Sequence, residues 1–286
     1  MYPCYNMATT MKSSSFENDI VLAAKAGFRH IELRKEKMLD YLRRGHTLPE
    51  LKQLLEDNQI KPICINALAD ISFHKGQARE TVKEFCHMLC YAGQLVGCRD
   101  LEVIAAFGAP TDDREAVTAE TAGILTELAP IAADYHMRLA LEYMALPKNS
   151  VRTFDHALEI IRRVNLPNVG LLVDTWHHFA GGSAPEELLS ARDKIFTVHI
   201  GDAPDKAPLT LRRNECIWPG DGAAPIAQML QNLQKAGYDD IVSVEIFDPQ
   251  VQAMEAEDCI SLAYQRTARA LSEAGVLQAD PLGNLN

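Results

Sequence analysis

The sequence predicts an α/β fold, a single (β/α)8 TIM barrel domain over residues 1–286, on three observations. Eight apolar runs rich in Val, Ile and Leu alternate with longer amphipathic stretches, as expected of parallel strands buried on both faces and joined by crossover helices. Four consecutive runs end on one side chain able to bind a metal. The first run leads into NMATT where a dinucleotide fold would place a G-x-G-x-x-G turn.

In chain order the strands are expected at Cys4–Thr9, His30–Arg34, Pro62–Leu68, Leu101–Ala106, Leu139–Met144, Val169–Thr175, Phe196–Gly201 and Ile241–Phe247. Between them SFENDIVLAAKAG, TLPELKQLLEDN and TAETAGILTELAPIAADYH carry helical periodicity. Several of these stretches open on Ser or Thr, which cap a helix start, and close near Gly or Asn, which tolerate a left-handed stop. Gly27 and Gly237 fit such stops. Right-handed crossovers between eight successive strands close most simply into a barrel, with an open doubly wound sheet as the alternative. The polar tail, residues 275–286, is expected to be a loose end or a subunit contact.

Composition narrows the function. With 47% hydrophobic and 23% charged residues the chain can bury a large core. The net charge of -11, with scattered basic residues, argues against nucleic acid or an anionic membrane as partner. The start MYPCYNMATTMKSSSF has no cationic leader followed by an apolar stretch, so a cytoplasmic location is expected. The seven cysteines read as reduced thiols. Cys86, His87 and Cys90 lie close together, but their helical spacing favours core cysteines over a metal site.

The chemistry gathers at the strand ends LALE (Glu142), LLVD (Asp174), FTVH (His199) and VSVE (Glu245). The carboxyl ends of all strands in a parallel barrel lie on one face, so these four can converge. Taken singly, each is more simply a salt-bridge partner, a helix cap or the first wet residue of a loop. Taken together, three carboxylates and one histidine repel and desolvate one another unless they share a divalent cation. One metal ion is therefore expected on Glu142, Asp174, His199 and Glu245, with Mn, Zn, Co and Mg all compatible.

His177, three residues after Asp174 in the expected loop, either reaches a substrate oxygen or shuttles a proton, or is a capping or core histidine, whereas His178 has no independent case. Asn6, Glu32 and Asn66 end other strands and are candidate hydroxyl contacts; Glu32 could instead pair with Arg34 or Lys35. The stretch from Asp202 to Gly222 reads as a lid that brings Arg212, Arg213 and Trp218 over a ligand.

CYNMATT, GFRHIELR, IKPICINAL, RLALEYM, VGLLVDTWH, IFTVHIGD, WPGDGA and DIVSVEIF occur in this order. With them the chain resembles the xylose-isomerase-like TIM barrel sugar isomerase/epimerase superfamily, and within it the inosose isomerases. The resemblance implies an isomerase of inositol catabolism that converts 2-keto-myo-inositol to 1-keto-D-chiro-inositol through a metal-stabilised enediolate. It carries the metal ligands to Glu142, Asp174, His199 and Glu245, proton exchange to Glu142 and Glu245, and a substrate-side histidine to His177. The partner implied is a small polyhydroxy ketone, and a homo-oligomer is an admissible assembly. Two other readings share the metal and glutamates: a ketose 3-epimerase and a hydroxypyruvate-type isomerase. A metal-dependent phosphodiesterase of the endonuclease kind is disfavoured, because strands two and three end in Glu32 and Asn66 and no D-x-H pair precedes WPGDG. One departure stands out: Cys216 occupies the place, two residues before Trp218, where the family has an arginine, and Arg212 and Arg213 come earlier.

Overall fold

The computed structural model describes residues 1–279. Eight parallel strands close into a barrel in sequence order: β1 (Tyr2–Asn6), β2 (His30–Arg34), β3 (Lys61–Leu68), β4 (Asp100–Ile104), β5 (Arg138–Glu142), β6 (Val169–Asp174), β7 (Ile195–Ile200) and β8 (Ile241–Val244). Closure runs through β1 and β8, where Tyr2 pairs with Ile241 and Tyr5 with Val244. The open-sheet alternative is thereby excluded.

The helices are α1 (Phe16–Ala26), α2 (Lys35–Arg43), α3 (Leu48–Asp57), α4 (Gln77–Val96), α5 (Arg114–Asp134), α6 (Phe154–Val164), α7 (Thr175–Ala180), α8 (Ile226–Lys235) and α9 (Ala256–Glu273). Their starts follow local chemistry. The Ser15 hydroxyl accepts from the Asn18 amide at the head of α1, and α1 stops at Gly27, whose φ of 109° suits glycine. Thr47 and Glu50 form a reciprocal capping box before α3. The apolar faces of the helices and the outward-facing strand residues form one large buried cluster, from Phe16 and Ile20 to Cys259 and Leu271.

Most strands stop sooner than hydropathy suggests. β1 ends at Asn6 because its side-chain oxygen accepts from the Ala8 amide and turns Met7–Thr10 into a 3-10 helix. β8 ends at Val244, so Glu245 is the first residue beyond it. Buried apolar residues such as Tyr143, Met144 and Ile246 continue each pattern, although the backbone has already left the ladder.

Cys86 and Cys90 are buried core residues of α4, with sulfurs 3.9 Å apart, while His87 packs edge-on against Tyr135. The described part of the tail docks on the strand-start end of the barrel. The Gln278 amide donates to Met1 O and the Gln278 side chain to Asp239, and residues 280–286 lie outside the described residues. Among the described residues no helix is long and apolar enough to cross a membrane.

Candidate metal centre and active site

Glu142 is the last residue of β5, Asp174 the last of β6, His199 the penultimate residue of β7, and Glu245 follows β8. Ladder pairing sets Asp174 beside His199. All four are buried, and one ligand atom from each lies within 4.8 Å of the others. His199 Nδ1 is 3.5 Å from Glu245 Oε2 and 3.8 Å from Glu142 Oε1. Ligands bound to one tetrahedral ion at about 2.1 Å stand roughly 3.4 Å apart, so these separations suit a shared cation. His199 Nδ1 and Glu142 Oε1 are buried without a hydrogen-bond partner, as metal-directed atoms would be.

The electrostatics agree. Burial pushes Glu142 up to about 8, reinforced by Glu245 and Asp174 and opposed by His199. Burial likewise raises Asp174 to about 6. Burial works against the ionised Glu245 as well, but His199, Arg213 and Arg34 outweigh it and hold that carboxylate down at about 2. For His199 burial favours the neutral ring, yet Glu32 and Glu245 together lift it well above the usual histidine range. The cluster thus resists carrying all its negative charge at once, and a divalent cation removes that conflict.

His177 lies in α7, not in a loop, because Asp174 turns the chain. Asp174 Oδ1 accepts from the His177 amide at 2.9 Å and caps the helix. His177 Nδ1 accepts from the Ala145 amide at 3.1 Å, so the neutral ring carries its proton on Nε2. Burial and the Arg213 charge push His177 down to about 3, which keeps it neutral. His178 is committed to structure, bonded to the Tyr143 hydroxyl through Nδ1 and to Ala184 O through Nε2.

Asn66 joins the centre: its Nδ2 donates to Glu245 Oε1 at 3.1 Å while its Oδ1 accepts from Arg34 at 2.5 Å. Asn6 uses its oxygen on the local turn, leaving Nδ2 buried without a partner. Glu32 is fully buried inside the barrel. Both its oxygens meet His199 Nε2, at 2.9 and 3.1 Å, and the pairing with Arg34 or Lys35 does not form, since Glu36 takes both cations.

The lid divides its expected residues. Arg213 is half-buried and stacks 3.8 Å over the Phe247 ring, next to the centre, whereas Arg212 is exposed and contributes a backbone amide to Glu215. Trp218 is buried in the main core cluster. The Cys216 thiol donates to Glu245 O at 3.3 Å and packs so tightly on Gly201 that a Cβ there would lie 2.4 Å from the sulfur. A long side chain has no room at that place, and of the two lid arginines Arg213 is the one that approaches the centre.

Two residues gave no signal as site residues in the sequence. Glu102, inside β4, is buried beside Glu32 and His199, and burial together with Glu142 drives its carboxyl well above the ordinary range. Asp202 ties down both ends of the lid: Oδ1 accepts from the Ala203 and Ala224 amides and Oδ2 from Gly220 and Gly222. Gly222 is required there, because a Cβ would fall 2.2 Å from Ala203 O.

The xylose isomerase-like TIM barrel family matches residues 20–273, nearly the whole described barrel. The chain belongs to that family. Among xylose isomerase-like barrels it is 34% identical over 282 residues to the inosose isomerase of Halalkalibacterium halodurans, covering 96% of this chain and 98% of the relative. Identity to the inosose isomerase of Bacillus subtilis is 34% over 278 residues, covering 94% and 98% of the two chains. The structure superposes on a crystal structure described as the IolI protein with a binding zinc atom. The TM-score is 0.93 at 31% identity, covering 98% of this chain and all of that one (100%). By these relatives this xylose isomerase-like barrel is an isomerase, and Glu142, Asp174, His199 and Glu245 form a candidate site for a metal ion.

Proposed function

We propose that this chain is an inosose isomerase that moves the carbonyl of 2-keto-myo-inositol to the adjacent ring carbon, giving 1-keto-D-chiro-inositol, in the cytoplasm. The observation that carries the reading is the convergence of Glu142, Asp174, His199 and Glu245 in a chain that follows the inosose isomerases end to end. These four side chains would hold the metal. When bound, a divalent cation supplies Lewis-acid stabilisation of the negative charge that develops on the substrate's carbonyl and neighbouring hydroxyl oxygens.

The protein side chains carry the proton. Glu245 is ionised at neutral pH, and Asn66 orients its carboxylate through Oε1, so that this group takes the proton from the hydroxyl-bearing carbon next to the ketone. The electron pair of that C–H bond forms a carbon–carbon double bond as the carbonyl π pair moves onto its oxygen; the proton of the neighbouring hydroxyl passes to that oxygen, and the acid form of Glu245 or Glu142 returns a proton to the former carbonyl carbon as the new carbonyl forms. As a neutral donor at Nε2, His177 hydrogen-bonds a substrate oxygen without adding a second cation to the pocket. No redox cofactor takes part, because the ketone and alcohol carbons exchange oxidation states within one molecule.

Incubation of the metal-loaded protein with 2-keto-myo-inositol in deuterated water, followed by NMR, tests the assignment. The expected result is a new inosose signal together with deuterium at the interconverting carbons. Turnover of a ketohexose or hydroxypyruvate without change in the inosose would overturn it.

The two lid arginines separate by experiment. Arg213→Ala should lower kcat/KM by about 10–100-fold, the worth of one hydrogen bond from a charged donor, while Arg212→Ala stays within about twofold. Equal effects in steady-state kinetics would remove Arg213 from the pocket.

A further inference from the structure

Glu32 is a buried carboxylate that the mechanism above leaves without a task. It sits on β2, paired in register with Asn6 of β1 and Cys64 of β3, and meets His199 of β7 across the barrel interior. Both residues are fully buried. With 2.9 and 3.1 Å contacts, Glu32 spends both oxygens on His199 Nε2 and has no exposed surface from which to reach a substrate. On the other side of the same ring, Nδ1 has no hydrogen-bond partner and stands among the Glu142 and Glu245 oxygens.

We propose that Glu32 is the positioning residue of the metal centre, fixing the His199 imidazole so that Nε2 carries the proton and Nδ1 presents its lone pair to the cation. A neutral imidazole has one N–H and one lone pair, and an ionised carboxylate only accepts. Two carboxylate oxygens on Nε2 therefore place the hydrogen there and leave Nδ1 as the ligating atom. The same contact fixes the rotation of the ring and raises the basicity of Nδ1, as carboxylate partners of metal-binding histidines do. Glu102 is close by, but one of its oxygens is buried with no partner, and it makes no comparable contact with the ring.

This inference rests on the metal-centre reading, and two measurements keep them apart. In zinc-loaded protein carrying 15N-histidine, long-range 1H–15N NMR should show His199 protonated at Nε2 and metal-bound at Nδ1. Competition with a zinc chelator should then show Glu32→Gln binding zinc about 10–100-fold more weakly than the parent protein, with a shifted visible spectrum after cobalt loading and a melting temperature of the metal-free protein close to the parent's. A proton on Nδ1, or zinc affinity within about twofold of the parent, would overturn the positioning role while leaving the centre in place. Two zinc ions per chain in the parent and one in Glu32→Gln would also overturn it, by making Glu32 a ligand. Failure of the parent to bind zinc, cobalt, manganese or magnesium would remove the centre and the role together. If Glu32→Gln does not fold, the NMR measurement on the parent decides.

Discussion

Glu245→Gln is expected to abolish incorporation of solvent deuterium into the inosose and to lower kcat by about 10²–10⁴-fold, the range for loss of a positioned general base. The substitution is close to isosteric. An amide oxygen in place of Oε1 still accepts from Asn66 Nδ2, now at 3.1 Å from that oxygen, so the side chain keeps its anchor. What it loses is the carboxylate charge, and with it the basicity needed to take a proton from carbon. Because Glu245 also belongs to the proposed metal set, kcat is to be read at saturating metal and beside the bound-metal content. Full metal occupancy without deuterium exchange separates the proton role from the binding role. Undiminished exchange in the fully metallated variant would move the base to Glu142.

The barrel and the carboxyl-end cluster were legible in the sequence for one physical reason. A strand buried on both faces must be apolar, so a lone acid or histidine at its end stands out, and parallel topology sends every such end to the same face. Glu142, Asp174, His199 and Glu245 carried that signal. Glu102 did not, because it lies inside LEVI with Val103 and Ile104 still to come, and whether an interior acid points into the barrel depends on register that no local pattern encodes. Glu32 was visible as a residue but not as a partner, since its contact to His199 crosses 167 positions of sequence. Asp202 and His177 were obscured in another way. The hydrogen bonds that define them go to backbone amides, and backbone groups leave no trace in residue identity. The lid posed the same difficulty, for Arg212 and Arg213 are equivalent as letters, and only the stacking on Phe247 distinguishes them.

Stability is expected to fall with Lys37→Met, which should cost about 3–5 kcal/mol, the penalty for leaving a buried charge without its partner, and lower the melting temperature by roughly 6–15 °C. Asp19 of α1 is fully buried, and Lys37 of α2 meets it at 2.5 Å with 7% of its side chain exposed. The pair is held in a polar string: Lys37 also donates to Thr10 O at 3.0 Å, the Thr10 hydroxyl donates to Asp19 at 2.8 Å, and Tyr5 OH lies 2.5 Å from that hydroxyl. Burial raises Asp19 and lowers Lys37 in spite of their mutual attraction, so desolvation offsets much of what the ion pair contributes. The net worth of the pair is therefore smaller than the cost of breaking it on one side. It follows that Asp19→Asn in the Lys37→Met background should recover part of the lost stability, because a neutral amide still accepts from Thr10 and no charge is left buried. Thermal and urea melts of the two single variants and the double variant decide the matter. Additive losses, with the double variant the least stable of the three, would show that Asp19 and Lys37 are not coupled and that packing alone sets the cost.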